Sequence, residues 1–132
     1  MTMPAFVLCA DDFALSTASS EGILLLLKAS RLSAVSAVVN TALWQRYSST
    51  LLPYLDKVDI GLHFNLTEGP WLTAPTMEPL GLPKLIAKSY LGQLSKDAIY
   101  EELQAQIQAW SFVFGRLPDF IDGHQHIQQL PI

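Results

Sequence analysis

Apolar and polar positions fall in blocks along this chain, and the block lengths predict its elements. Phe6 to Ala10 is an unbroken apolar run that stops at Asp11-Asp12, as expected of a parallel strand buried on both faces. Ser16 to Ser20 then supplies helix-starting hydroxyls, with Glu21 in the first turn, where an acidic side chain suits the helix dipole. Ile23, Leu24, Leu26 and Leu27 give that helix a broad apolar face ending near Ser30. Ala34 to Val39 reads as a second buried strand. Leu43 to Leu52 reads as a second helix stopped by Pro53, and Val58 to Leu66 as a third strand.

Between Glu68 and Pro83 lie four prolines, which predicts a long loop of the kind that often carries function. Leu85 to Leu91 predicts a short helix. A stronger one follows, capped by Ser95 and stopped by Gly115, with Ile99, Leu103, Ile107, Trp110 and Phe114 as one apolar stripe. Phe120-Ile121 predicts a short fourth strand running into Asp122-Gly123-His124. The order is β-α-β-α-β-(loop, α, α)-β, which predicts parallel strands in an α/β fold. In such folds chemistry gathers at the C-terminal ends of the strands.

Composition narrows the field. Half the residues are hydrophobic and 15% are charged, fewer charges than the usual quarter or so. The expectation is an apolar surface covered by another subunit or by further chain. The net charge is −4, and the eight Lys and Arg are scattered, which leaves nucleic acid without an electrostatic footprint. Cys9 is the only cysteine; it sits in the first apolar run and is expected to be a buried thiol. A chain without internal disulfides suits a reducing cytoplasm. Met1 to Ala10 lacks the basic start of a signal peptide and runs straight into Asp11-Asp12. Apolar stretches such as Ile23 to Leu27 are too short to span a bilayer, so no membrane role is expected.

The polar residues at the predicted strand ends form a pattern. The first strand ends in Asp11-Asp12. The third carries His63, followed by Asn65 and Thr67. The fourth runs into Asp122, His124 and His126, and with His63 these are all the histidines of the chain. Singly, each has a structural explanation: an Asp after a strand often caps a helix, and a lone His is more often a hydrogen-bonded structural residue. Together, on one predicted rim, they favour a metal site. Two imidazoles and a carboxylate are a common divalent-ion ligand set, and adjacent aspartates allow one to ligate while the other acts as base. On an extended strand, His124 and His126 would share a face.

The segments Ala10-Asp11-Asp12-Phe13-Ala14-Leu15-Ser16, Gly61-Leu62-His63-Phe64-Asn65-Leu66-Thr67-Glu68-Gly69 and Asp122-Gly123-His124-Gln125-His126 resemble, in order and spacing, the signature segments of the N-terminal half of the YdjC family. Ser33 to Asn40 resembles that family's second strand. The resemblance spans essentially the whole chain, residues 1–132. It implies an incomplete (β/α) barrel, N-terminal portion only, since a complete barrel needs about 250 residues. It also implies a divalent ion, magnesium or zinc, held by Asp12, His63 and His124, with Asp11 as general base. The implied reaction is removal of N-acetyl groups from amino sugars such as chitooligosaccharides. Asp122, His126, Asn65 and Phe13 are expected behind the metal or against the substrate. A homo-oligomer, or pairing with a missing C-terminal half, is expected. One departure is Ala14, where the family places glycine; alanine is strained there if the position needs a positive φ.

Three other classes stay open. A different metal amidohydrolase or phosphoesterase would use the same ligand types, although such enzymes usually carry His-x-His on the first strand. A half-barrel could bind metal without catalysing anything. A response-regulator receiver also has an acidic pair after its first strand, but needs an aspartate at the end of the third, where this chain has His63 and Asn65.

Overall fold

The structure, a computed structural model, describes residues 5–131; Met1 to Pro4, the first part of the segment read against a signal peptide, lie outside it. Four strands, β1 (Cys9–Phe13), β2 (Ala34–Ala37), β3 (Asp59–Phe64) and β4 (Ile121–Gly123), form one sheet in sequence order. All three pairings are parallel. Helices α1 (Thr17–Lys28), α2 (Ala42–Tyr47), α3 (Leu82–Tyr90) and α4 (Lys96–Phe114) fall between them. Parallel strands laid down in chain order with helices between them are consistent with part of a (β/α) barrel.

The helices follow from local signals. Ser16 caps α1 in a reciprocal pair with Ser19. Ser95 Oγ accepts the Ala98 N–H at the start of α4, and Gly115 ends that helix in the left-handed conformation, φ 68. Of the predicted boundaries that differ, two have a clear physical reason. Proline does not stop a helix at residue 53: α2 ends at Tyr47, and Ser48–Tyr54 continues as short 3-10 turns with Pro53, which has no N–H to donate, inside. The first strand begins three residues late and includes both aspartates. Leu8 is still tied to Ser33 and Ala34 through its backbone, but Phe6, Val7 and Leu8 stay exposed along the sheet edge.

The sheet divides its polarity between its faces. Phe13, Val35, Ala37, Ile60 and Leu62 pack against Ile23 and Leu27 of α1, Trp44 and Tyr47 of α2, Leu51, and Trp110 and Phe114 of α4. The opposite face carries Cys9, Asp11, Ser36, His63 and Asp122, of which Ser36 and His63 are buried, in line with the alternation of side chains along strands. Cys9 is therefore exposed rather than buried: the apolar run places it on the polar face of an edge strand. Partial desolvation, with Asp11 and then Asp122 nearby, pushes its thiol up to about 12. Exposed apolar side chains sit at both flanks of the sheet, Phe6 to Leu8 beside β1 and Leu117 and Ile121 beside β4.

Gly61 on β3 has no room for a side chain. A Cβ there would meet the ring of Phe120 at 2.5 Å, so the strand that carries His63 lies close under the approach to β4. Gly61→Ala is expected to cost about 1–3 kcal/mol through overpacking. Urea unfolding should show a lower midpoint at unchanged slope; an unchanged midpoint would mean that the Phe120 ring yields freely.

Candidate metal centre

At the C-terminal end of β1 the pairing register shifts between Ala10 and Phe13. In a regular strand, successive side chains point to opposite faces; a bulge re-aims one of them. Here Asp12 adopts φ 65, a left-handed conformation that aspartate tolerates better than most residues. Both Asp11 and Asp12 thereby line one cleft of about 230 Å³, together with His63, Gly123, His124, Gln125 and His126. The turn is held by hydroxyls: the Asp12 carbonyl accepts from Ser19 Oγ at 2.8 Å and from the Leu15 N–H at 3.1 Å. Ala14 also has a positive φ, 65, so the position does require what glycine supplies. Its strain, on the order of 1–2 kcal/mol, is offset by a buried methyl, an N–H donated to Ser20 Oγ at 3.0 Å and a carbonyl that accepts from Thr41 Oγ1.

Asp12, His63 and His124 come together as the sequence predicts. Asp12 Oδ1 lies 3.2 Å from His63 Nε2 and 2.9 Å from His124 Nδ1, and the two rings stand edge to face with centroids 5.3 Å apart. Donor atoms bound to one ion at ~2.1 Å sit roughly 3–3.5 Å from each other, so this spacing matches a shared cation. Both imidazoles are buried while Asp12 is partly open to the cleft. The fit rests on the donor set, two imidazole nitrogens and a carboxylate oxygen gathered at one point; His124 Nδ1 is the ring atom turned to Asp12, and its buried Nε2 has no hydrogen-bond partner. The group is therefore a possible His/Asp metal site.

His63 is oriented from behind. Its Nδ1 lies 2.7 Å from Asp122 Oδ1 and 3.1 Å from Ser36 Oγ, and the Ser36 hydroxyl also donates to Asp122. With Nδ1–H given to the carboxylate, Nε2 presents its lone pair towards Asp12, the tautomer a metal ligand needs. Burial opposes a charge on His63, but the Asp122 hydrogen bond and charge outweigh it, with Asp12 and Asp11 adding, and hold the imidazole above its ordinary pKa. For Asp122 burial likewise works against ionisation, and the hydrogen bonds from His63 and Ser36 overcome it, so its carboxyl is held below the usual range. Cys9, Asp11 and Asp122 also lie within reach of one another. That group is the weaker candidate, since the thiol keeps its proton at neutral pH and Asp122 is engaged with His63.

The remaining predicted residues separate. His126 lines the cleft and is exposed, but it does not share a strand face with His124: β4 ends at Gly123, and Gln125 and His126 adopt φ 54 and 59 in a turn. Phe13 is not at the site. Past the bulge it pairs with Ala37, which turns its ring into the helix-side core against Tyr47, fully buried. Asn65 is fully buried as well, and shapes a loop instead of facing substrate. Its Oδ1 accepts the N–H groups of Thr67 and Glu68 at 3.1 Å each, and its Nδ2 donates to Asn40 Oδ1 at 3.0 Å.

Two residues of this framework were not singled out from sequence. Glu102 and Gln106 of α4 are both fully buried. Gln106 holds both backbone groups of Asn65, and Glu102 accepts from Gln106, from the N–H groups of Leu72 and Thr73, and from Thr73 Oγ1. The signal was available: Ile99, Glu102, Gln106 and Trp110 are spaced three and four apart, which sets two polar side chains inside the apolar stripe.

The sequence pattern of the YdjC-like protein family matches residues 5–132. A chitooligosaccharide deacetylase of Serratia marcescens is 33% identical over 134 aligned residues, covering 92% of this chain and 49% of the relative. A chitooligosaccharide deacetylase of Yersinia enterocolitica is 34% identical over 128, again covering 92% and 49%. The chain thus spans about half the length of the curated relatives it matches. Among solved structures, one from Enterococcus faecalis V583 with the provisional name cellobiose-phosphate cleavage protein superimposes with a TM-score of 0.67 at 20% identity. That match covers 91% of this chain and 48% of the other, and supports the fold alone. With sequence pattern and relatives in agreement, the chain belongs to the YdjC-like family.

Proposed function

We propose that this chain carries the metal-binding half of a carbohydrate deacetylase, which hydrolyses the N-acetyl amide of an amino-sugar oligosaccharide to amine and acetate. The observation that supports this most is the convergence of Asp12, His63 and His124 on one point, with a further carboxylate, Asp11, in the same cleft. Asp12, His63 and His124 would hold a divalent ion. Two imidazoles suit zinc or a similar transition metal better than magnesium, which prefers oxygen. Bound there, the ion supplies positive charge that acidifies water and polarises an amide carbonyl. Asp11 is exposed and receives the proton that water loses. Asp122 holds His63 in register, and His126, at the cleft wall, is placed to meet the sugar.

The exposed apolar flanks beside β1 and β4 support a second part of the reading. Four strands leave two open edges, and in the family's longer members further chain is available to cover them. For these 132 residues alone we propose self-association along the flanks. Among the described residues no helix is long and apolar enough to cross a membrane.

Titration of the chain with zinc tests the centre. Asp12→Asn and His63→Ala should each abolish tight binding. Asp11→Asn should keep it and lose roughly 10²–10⁴-fold in turnover, the usual cost of a general base; if Asp11→Asn lost the metal and Asp12→Asn did not, the two roles would be exchanged. The pH dependence has a definite sign. The raised His63 proton stabilises the metal-free fold below its ordinary value of 6.5, and this contribution is lost as pH rises through the higher folded value. Metal must displace that proton, so zinc affinity should weaken as pH falls, with a binding heat that depends on the buffer. A pH-independent affinity between 5 and 8, taken as a rough window around the imidazole range, would contradict the role of His63. Solution mass at dilution tests the flanks: a dimer or larger is expected, and a fully active monomer would contradict the half-barrel reading.

A further inference from the structure

His124 raises a question that His63 does not. Its Nδ1 faces Asp12, but its Nε2 is sealed from solvent and has no hydrogen-bond partner. A buried ring nitrogen without a partner is costly, and native sites rarely leave one. The carboxylate facing that nitrogen is Glu68, with Oε1 at 3.5 Å, just beyond hydrogen-bond contact. Glu68 does not reach this place by chance of a loose loop. Its N–H is held by Asn65 Oδ1 and its carbonyl by Asn65 Nδ2. Asn65 is in turn fixed by Gln106, and Gln106 by the buried Glu102. Two residues on, the Pro70 carbonyl accepts from Asn40 Nδ2 at 3.0 Å. The backbone under Glu68 is therefore anchored to the core, while its side chain is half exposed and has the freedom to close a few tenths of an ångström.

We propose that Glu68 is a positioning residue for the metal centre: it accepts the Nε2–H of His124, so that Nδ1 keeps its lone pair for the ion. The two imidazoles then have matching supports, Asp122 behind His63 Nδ1 and Glu68 behind His124 Nε2. This rests on the metal reading above and adds a residue to it. Carboxylates behind metal-bound histidines fix the tautomer and raise ligand basicity, and their loss typically weakens metal binding by ~10–100-fold.

The test is zinc affinity of the full chain, measured by competition with a chromophoric chelator, for the unsubstituted protein, Glu68→Ala and Glu68→Gln. Glu68→Ala should bind zinc roughly 10–100-fold more weakly. Glu68→Gln, which keeps an acceptor oxygen but no charge, should recover part of the loss. Cobalt-loaded Glu68→Ala should also show a shifted visible spectrum, because the ligand ring is no longer fixed. The side chain lies at the surface, so all three proteins should melt alike before metal is added. Zinc affinity unchanged in both variants, with only the KM for chitooligosaccharide raised, would overturn the proposal and make Glu68 a substrate contact. Failure of the unsubstituted chain to bind zinc would overturn the metal reading itself, and this inference with it.

Discussion

One carboxylate oxygen organises the working end of this molecule. Asp12 Oδ1 lies within 3.2 Å of two buried imidazoles that come from different strands' ends. To be there, Asp12 must point the same way as its neighbour Asp11, which a regular strand forbids. The register shift in β1, the positive φ at Asp12 and again at Ala14, and the cage of hydroxyls from Ser19, Ser20 and Thr41 are what that requirement looks like in the backbone. Strain of this kind is retained only where surrounding contacts over-determine it, and here it buries an alanine where glycine would sit more easily.

The distribution of polarity follows from the same requirement. A sheet that packed both faces in apolar side chains would leave no place for the carboxylates. Instead the helix-covered face carries the core, and the opposite face carries Asp11, Ser36, His63 and Asp122. Buried polar groups are tolerated when each has a partner. Asn65, Gln106 and Glu102 meet that condition with one another and with the loop backbone. This chain of amides and one carboxylate joins α4 to the loop after β3, so the long helix serves the site through its two polar residues as well as the core through its apolar ones.

Much of this was legible in the sequence. The strand and helix order followed from block lengths, α4 from its cap, stripe and terminal glycine, and the three converging residues from the rule that strand ends carry chemistry. What was not legible depended on local geometry that block patterns do not encode. An apolar run marks where a strand is likeliest, but pairing with Ala34 to Ala37 decides where β1 begins, and that moved Cys9 onto the polar face. The bulge turned Phe13 away from the cleft where adjacency suggested contact. His124 and His126 read as strand neighbours because nothing in a His-x-His spacing announces a turn with two left-handed residues. Glu102 and Gln106 were missed because the stripe of this helix was read from its apolar members alone, without asking which polar residues share its face.

In the proposed centre two imidazoles and one carboxylate hold a single cation, and the Cys9 group plays no part. X-ray absorption at the zinc edge of the metal-loaded chain addresses it directly. The account predicts a shell of two imidazole nitrogens and oxygen neighbours at roughly 2.0–2.2 Å, without sulfur. A sulfur neighbour near 2.3 Å, or a shell with fewer than two imidazoles, would place the metal elsewhere and contradict it.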